Sequence, residues 1–188
     1  FAVIFKYRAD GSSRVIYIKQ SSELSASQTL TSDDIKNVQV SMSGFNNVIS
    51  KMIINYEKHP AIKEYISTAT SSNNEVRTKY KIQSKENIKE IDLDMNVGTP
   101  ATTPQSDPNA DFYSYYNNIL GDVKKIIKCD IINSSKSYNL ETGDIVKFED
   151  MPVNPFGHNW NESGSQYYMV TNLNRSIGSV KIECREVG

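Results

Sequence analysis

The sequence predicts a mostly β, α+β fold: two antiparallel β-subdomains, the second a small barrel or sandwich, with one amphipathic helix near residues 108–120. Three observations lead there. The 188 residues include 18 Asn, 33 Ser plus Thr and 11 Tyr, types that suit turns and half-exposed strands better than long helices. Apolar residues alternate with polar ones along most of the chain, the period of a strand with one buried face. Only one stretch repeats its apolar residues at spacings of three and four. A chain this long buries roughly 70% of the surface its unfolded form exposes, so it needs no staple to be stable.

Taken in order, Phe1 to Arg8 and Arg14 to Lys19 are rich in Val, Ile, Phe and Tyr, with Asp10-Gly11 between them as a hairpin signal. Ile35 to Met42 alternates as a strand. Ser43-Gly44-Phe45-Asn46 turns the chain into a second strand, Val48 to Glu57, with Met52, Ile54 and Tyr56 on one face. His59-Pro60 ends it, because proline cannot continue a ladder. Ala61 to Thr68 suits a short helix or an edge strand, and Ser71 to Asn74 a turn. Val76 to Gln83 and Ile88 to Met95 read as two more strands.

Residues 97–111 mark the clearest change in composition. Pro100, Pro104 and Pro108 punctuate Gly, Thr, Ser and Asp, as in a loop or linker. The expected division is therefore 1–96, a linker at 97–111, and 112–188. Asp107-Pro108 has the cap-then-proline form of a helix start, and Phe112, Tyr115 or Tyr116, Ile119 and Val123 follow on one face. Beyond it, Lys125 to Ile132, Ile145 to Glu149, Tyr167 to Leu173 and Val180 to Val187 alternate as strands of the barrel-like half.

A net charge of −1 argues against a nucleic-acid footprint, and Lys79-Tyr80-Lys81 reads as a strand with solvent-facing lysines. Apolar runs are far shorter than the ~20 residues of a membrane-spanning helix. Cys129 and Cys184 each sit on an alternating apolar stretch, which suits two buried small side chains or a disulfide joining two strands. The chain opens at Phe1 without a methionine, inside a strand-like run, as expected of a fragment or a processed form.

Residues capable of chemistry are sparse. Of two histidines, His59 sits at a strand end and His158 in a loop. Asp92 and Asp94 share a strand face, which a solvated surface explains better than acid–base work does. No GxSxG, HExxH, P-loop or GxGxxG occurs, so no enzyme activity, cofactor or metal is expected. The loop 151–165 is the candidate interaction site. Pro152 and Pro155 restrict its backbone, Phe156 and Trp160 offer stacking or burial area, and His158 and Asn159 can hydrogen-bond. That set suits a glycan-binding loop, a contact with a neighbouring subunit, or a Trp160 that plugs this domain's own barrel.

Two stretches resemble bacteriophage tail proteins of the baseplate-hub or tail-tip type. One runs from Ser32-Asp33-Asp34-Ile35 through Ser41 and Asn47 to Val48–Tyr56. The other joins Leu140-Glu141-Thr142-Gly143-Asp144-Ile145-Val146 to Tyr167-Tyr168-Met169-Val170, Arg175-Ser176 and Lys181-Ile182-Glu183. The resemblance implies a structural virion component, a piece of a larger protein that docks with other subunits and forms homo-oligomers. It implies no wall-degrading role, since neither a lysozyme-like nor a peptidase module accompanies it. The alternative is a β module that binds a glycan or surface polymer through loop 151–165.

Overall fold

Asp10-Gly11 predicts a hairpin, and the computed structural model pairs β1 (Val3–Tyr7) antiparallel with β2 (Ser13–Tyr17), Phe5 opposite Val15. The structure describes residues 3–7, 13–17, 24–83, 85–93, 116–117, 119–151, 159–160 and 167–187, with backbone only for the first two segments.

Two compact units emerge, one of Phe1–Ser43 with Lys124–Gly188, the other of Gly44–Val123. This is not the consecutive division expected from composition. The strand after residue 34 pairs with one beginning at residue 125, so the first unit is assembled from both ends of the chain. Composition marks a linker but carries no information about which distant strands pair.

The first unit holds a six-stranded sheet ordered β3-β9-β10-β11-β8-β4. Its members are β3 (Gln28–Leu30), β4 (Ile35–Met42), β8 (Lys125–Ile131), β9 (Ile145–Phe148), β10 (Tyr167–Ser176) and β11 (Ser179–Glu186). Neighbours are antiparallel except β3 and β9, which run parallel. Alternation decides the faces: Ile127, Cys129 and Ile131 of β8 turn inward with Val180, Ile182 and Cys184 of β11. Leu30, Leu140, Val146, Phe148, Tyr168 and Val170 complete this core. Each fully buried aliphatic side chain contributes about 1.5–3 kcal/mol relative to exposure. β10 and β11 are closed by Ile177-Gly178, where Gly178 takes φ +83°. At the sheet's other margin Ser43 N–H donates to the Lys124 carbonyl (2.8 Å) and Lys124 N–H donates to Ser43 Oγ (2.9 Å), joining the points where residues 44–123 leave and return.

The second unit holds a three-stranded sheet, β6-β5-β7, of β5 (Lys51–Lys58), β6 (Tyr65–Ser72) and β7 (Ile88–Asp92). β5 is antiparallel to β6 and parallel to β7. Met52, Ile54 and Tyr56 are buried, as their alternation predicts. Consecutive strands β4 and β5 do not pair; they lie in different sheets. Residues 76–83 are not a strand. Asn74–Tyr80 is helix α1, capped by Asn73, whose side chain accepts from Val76 N–H at 3.0 Å. Val76 and Ile82 then pack on Val48, with Tyr80 and Val123 alongside. Of the helix expected near 108–120, residues 116–117 and 119–120 are helical and 108–115 and 118 lie outside the described residues.

Candidate functional site

The buried Trp160 lies in the core of the six-stranded sheet. Its ring centre is 5.5 Å from that of Phe148, which meets Tyr168 edge-on at 5.4 Å. The neighbouring Asn159 is exposed. Phe156 and His158, the other residues expected at this site, lie outside the described residues. Trp160 is thus an anchor holding one point of loop 151–165 against the domain's own interior.

A second polar construction, which sequence reasoning missed, fixes the end of the sheet. Asn133 caps a single helical turn, α2 (Ser134–Ser137), accepting from Ser135 N–H at 3.1 Å. That turn swings Lys136 back to the buried Asp34, Nζ to Oδ2 at 2.6 Å. Thr31 N–H and Oγ1 (both 2.9 Å) and Asn133 Nδ2 (2.7 Å) donate to the same carboxylate. Burial alone would raise the Asp34 pKa. The Lys136 ammonium, Thr31 N–H, Asn133 amide and Thr31 hydroxyl outweigh it and hold the carboxyl well below the usual range. On the far side, Arg175 of β10 donates to the carbonyls of Ser137 (3.0 Å), Tyr138 (3.2 Å) and Leu140 (2.6 Å), clamping the chain just after α2. The signal available in the sequence was the Asn-x-Ser cap motif, but nothing local names Asp34 as its partner 99 positions away.

In the three-stranded unit, Asp122 plays a similar part. Lys79 Nζ reaches it at 2.7 Å, the Tyr80 hydroxyl and Val123 N–H also donate to it, and these bonds lower its pKa against the opposing effect of burial. Asn73, while capping α1, donates to Asn117 Oδ1 at 2.6 Å.

Cys129 and Cys184 are free and buried on adjacent strands; Cys129 faces Ile182 and Cys184 faces Ile127, so they stand diagonally. Burial, then the Asp130 carboxylate, pushes the Cys129 thiol up to about 12, and burial with Cys129 and Glu183 nearby raises Cys184. Both are inert core side chains under this electrostatics. Among the described residues no three His, Cys, Asp or Glu side chains gather for a metal, and no helix is long and apolar enough to cross a membrane.

What the described surface offers is edges and apolar tips. β3 and β4 border the larger sheet, β6 and β7 the smaller. Ile62, Ile66, Tyr138 and Ile177 are large apolar side chains left well exposed, Ile177 fully so at the β10–β11 turn. Unpaired strand edges and exposed apolar tips are features of surfaces that associate.

No protein-family model matches the chain, and no curated protein does. Solved structures do. A chain from the virion of a native gene transfer agent particle superposes with a TM-score of 0.55 at 12% identity, over 87% of this chain and 32% of that one. The tail protein from Neisseria meningitidis MC58 superposes with a TM-score of 0.51 at 10% identity, over 99% of this chain and 51% of that one. The chain spans about a third to a half of those structures' length. Its mostly β architecture is shared with that virion chain and that tail protein, a likeness in the direction the sequence resemblance implied.

Proposed function

We propose that this chain is a structural part of a phage-type tail or related virion, acting through contacts with other subunits and with copies of itself. The observation that carries the reading is the likeness of almost the whole chain to a tail protein and to a chain of a gene-transfer-agent virion. The exposed strand edges and the apolar side chains Ile66, Tyr138 and Ile177 support it, since burial of such surface drives association. Loop 151–165, which Trp160 fastens to the core, is one contact element, with Phe156, His158 and Asn159 as its contact residues.

Purified particles from cells producing the full-length protein with an affinity tag test this. The chain is expected to co-sediment with tail-like particles at fixed stoichiometry, and cells lacking it are expected to yield none that are complete. Normal particles from such cells, with the tagged chain remaining at the top of the gradient, would overturn the reading.

A further inference from the structure

On the outward face of β4, β8, β11 and β10 lies an open groove of about 580 Å³. Its flanking strands β4 and β10 are both bulged. Asn37, at φ +55°, sits in the irregular step between Lys36 and Gln39, and β10 shifts register between Val170 and Asn172. Bulges re-aim side chains, and they gather beside binding sites. The floor strands are regular, and while Cys129 and Ile182 turn inward, Lys128, Asp130, Lys181 and Glu183 alternate with them.

These charges are arranged in opposition. Glu183 stands opposite Lys128 with Oε2 to Nζ at 3.0 Å, and Lys181 stands opposite Asp130, which accepts from Asn37 Nδ2 at 2.8 Å. Two ammonium groups and two carboxylates cancel, so the groove carries no net charge. Its remaining hydrogen-bonding capacity is unengaged: the side-chain amides of Gln39, Asn172 and Asn174 have no partner among the described residues.

We propose that this groove binds a short run of neutral sugar residues. Each free amide pairs a donor with an acceptor, which matches vicinal hydroxyls that also donate and accept. The Asn37 bond to Asp130 ties the β4 wall to the floor before a ligand arrives, which lowers the cost of ordering it. Other ligand classes fit less well. Zero net charge gives nucleic acid no counterion release. β8 and β11 are paired on both sides, so an added strand finds no free ladder on the floor. None of the residues that line the groove belongs to loop 151–165, and the proposal does not depend on the assembly role.

The test is titration of the full, ¹⁵N-labelled chain with maltoheptaose and with chitotetraose, read by amide chemical shifts. Shifts are expected at residues 37–39, 128–130, 172–174 and 181–183 with at least one sugar, in the millimolar range. The double variant Asn172→Ala/Asn174→Ala, at two exposed positions, is expected to bind about tenfold more weakly with an otherwise unaltered spectrum. Gln39→Ala gives an independent variant should that one fold poorly. Silence with both sugars, shifts confined to loop 151–165, or undiminished binding by both variants would overturn the proposal.

Discussion

Lys136 places its ammonium 2.6 Å from the carboxylate of Asp34, across 102 positions of sequence, and so ties the one-turn helix α2 to the start of β4. The carboxylate is almost wholly out of water and the ammonium about two-thirds so, with side-chain exposures of 6% and 29%. Lys136 also donates to the Thr29 carbonyl at 2.7 Å, which brings the end of β3 into the same knot.

Removing the carboxylate takes the acceptor from Thr31 N–H, Thr31 Oγ1 and Asn133 Nδ2, and leaves Lys136 with the Thr29 carbonyl but no counter-charge. Asp34→Ala is expected to cost about 3–5 kcal/mol, the range for breaking one half of a buried pair. Lys136→Met is expected to cost about 1–3 kcal/mol, since Thr31 and Asn133 still satisfy the acid. Urea unfolding followed by circular dichroism measures both.

The same group sets an acid limit. Its folded-state pKa is depressed, so its contribution is complete above the unfolded value of about 3.9 and is lost as pH falls from there toward the folded value. Between pH of about 5 and about 2 the wild-type urea midpoint is expected to fall more steeply than that of Asp34→Asn, which has no charge to lose. Parallel slopes would show that Asp34 does not govern the acid limb.

Trp160→Ala opens a hole beside Phe148 and Tyr168 and is expected to cost about 3–5 kcal/mol. Trp160 is the single tryptophan, so fluorescence reports on this one site. Emission of the native protein is expected at short wavelength and protected from iodide, moving to long wavelength with unfolding.

Gly178→Ala isolates a backbone effect. A Cβ there meets nothing within 4 Å, so any loss comes from the left-handed conformation at φ +83°. The expected cost is about 1–2 kcal/mol, smaller with asparagine, by thermal or urea unfolding.

Neither cysteine is expected to react with a disulfide reagent at neutral pH in the folded protein, and both should react once it is unfolded. Burial hides them, and the raised thiol pKa leaves almost no thiolate. Counting thiols with and without denaturant gives the answer.

Where period-two alternation is strong, the structure follows the sequence reading closely. β4 runs over Ile35–Met42 as expected, and Met52, Ile54 and Tyr56 bury one face of β5. Residues 76–83 defeated the same rule, because Val76, Thr78, Tyr80 and Ile82 alternate while Val76 and Tyr80 also share a helical face. The Asn73 cap and its bond to Asn117 settle the competition, and the second of those lies 44 positions away. Partner choice was likewise illegible: β4 joins β8 and β5 joins β7 through contacts that no local pattern encodes. At loop 151–165, aromatic content marked Trp160 as consequential, but three destinations were open to it, and only the packing on Phe148 selects the interior.

The paired hydrogen bonds between Ser43 and Lys124 bring the exit and re-entry of an 80-residue excursion to neighbouring positions. To the larger sheet, everything between those residues is topologically a single turn. A genome could lengthen, trade or delete that excursion without moving a strand of the host sheet, in the way a tool is changed on a fixed handle. The last strand, β11, pairs with both β10 and β8, so the halves β3-β9-β10 and β8-β4 become one sheet only when it has left the ribosome.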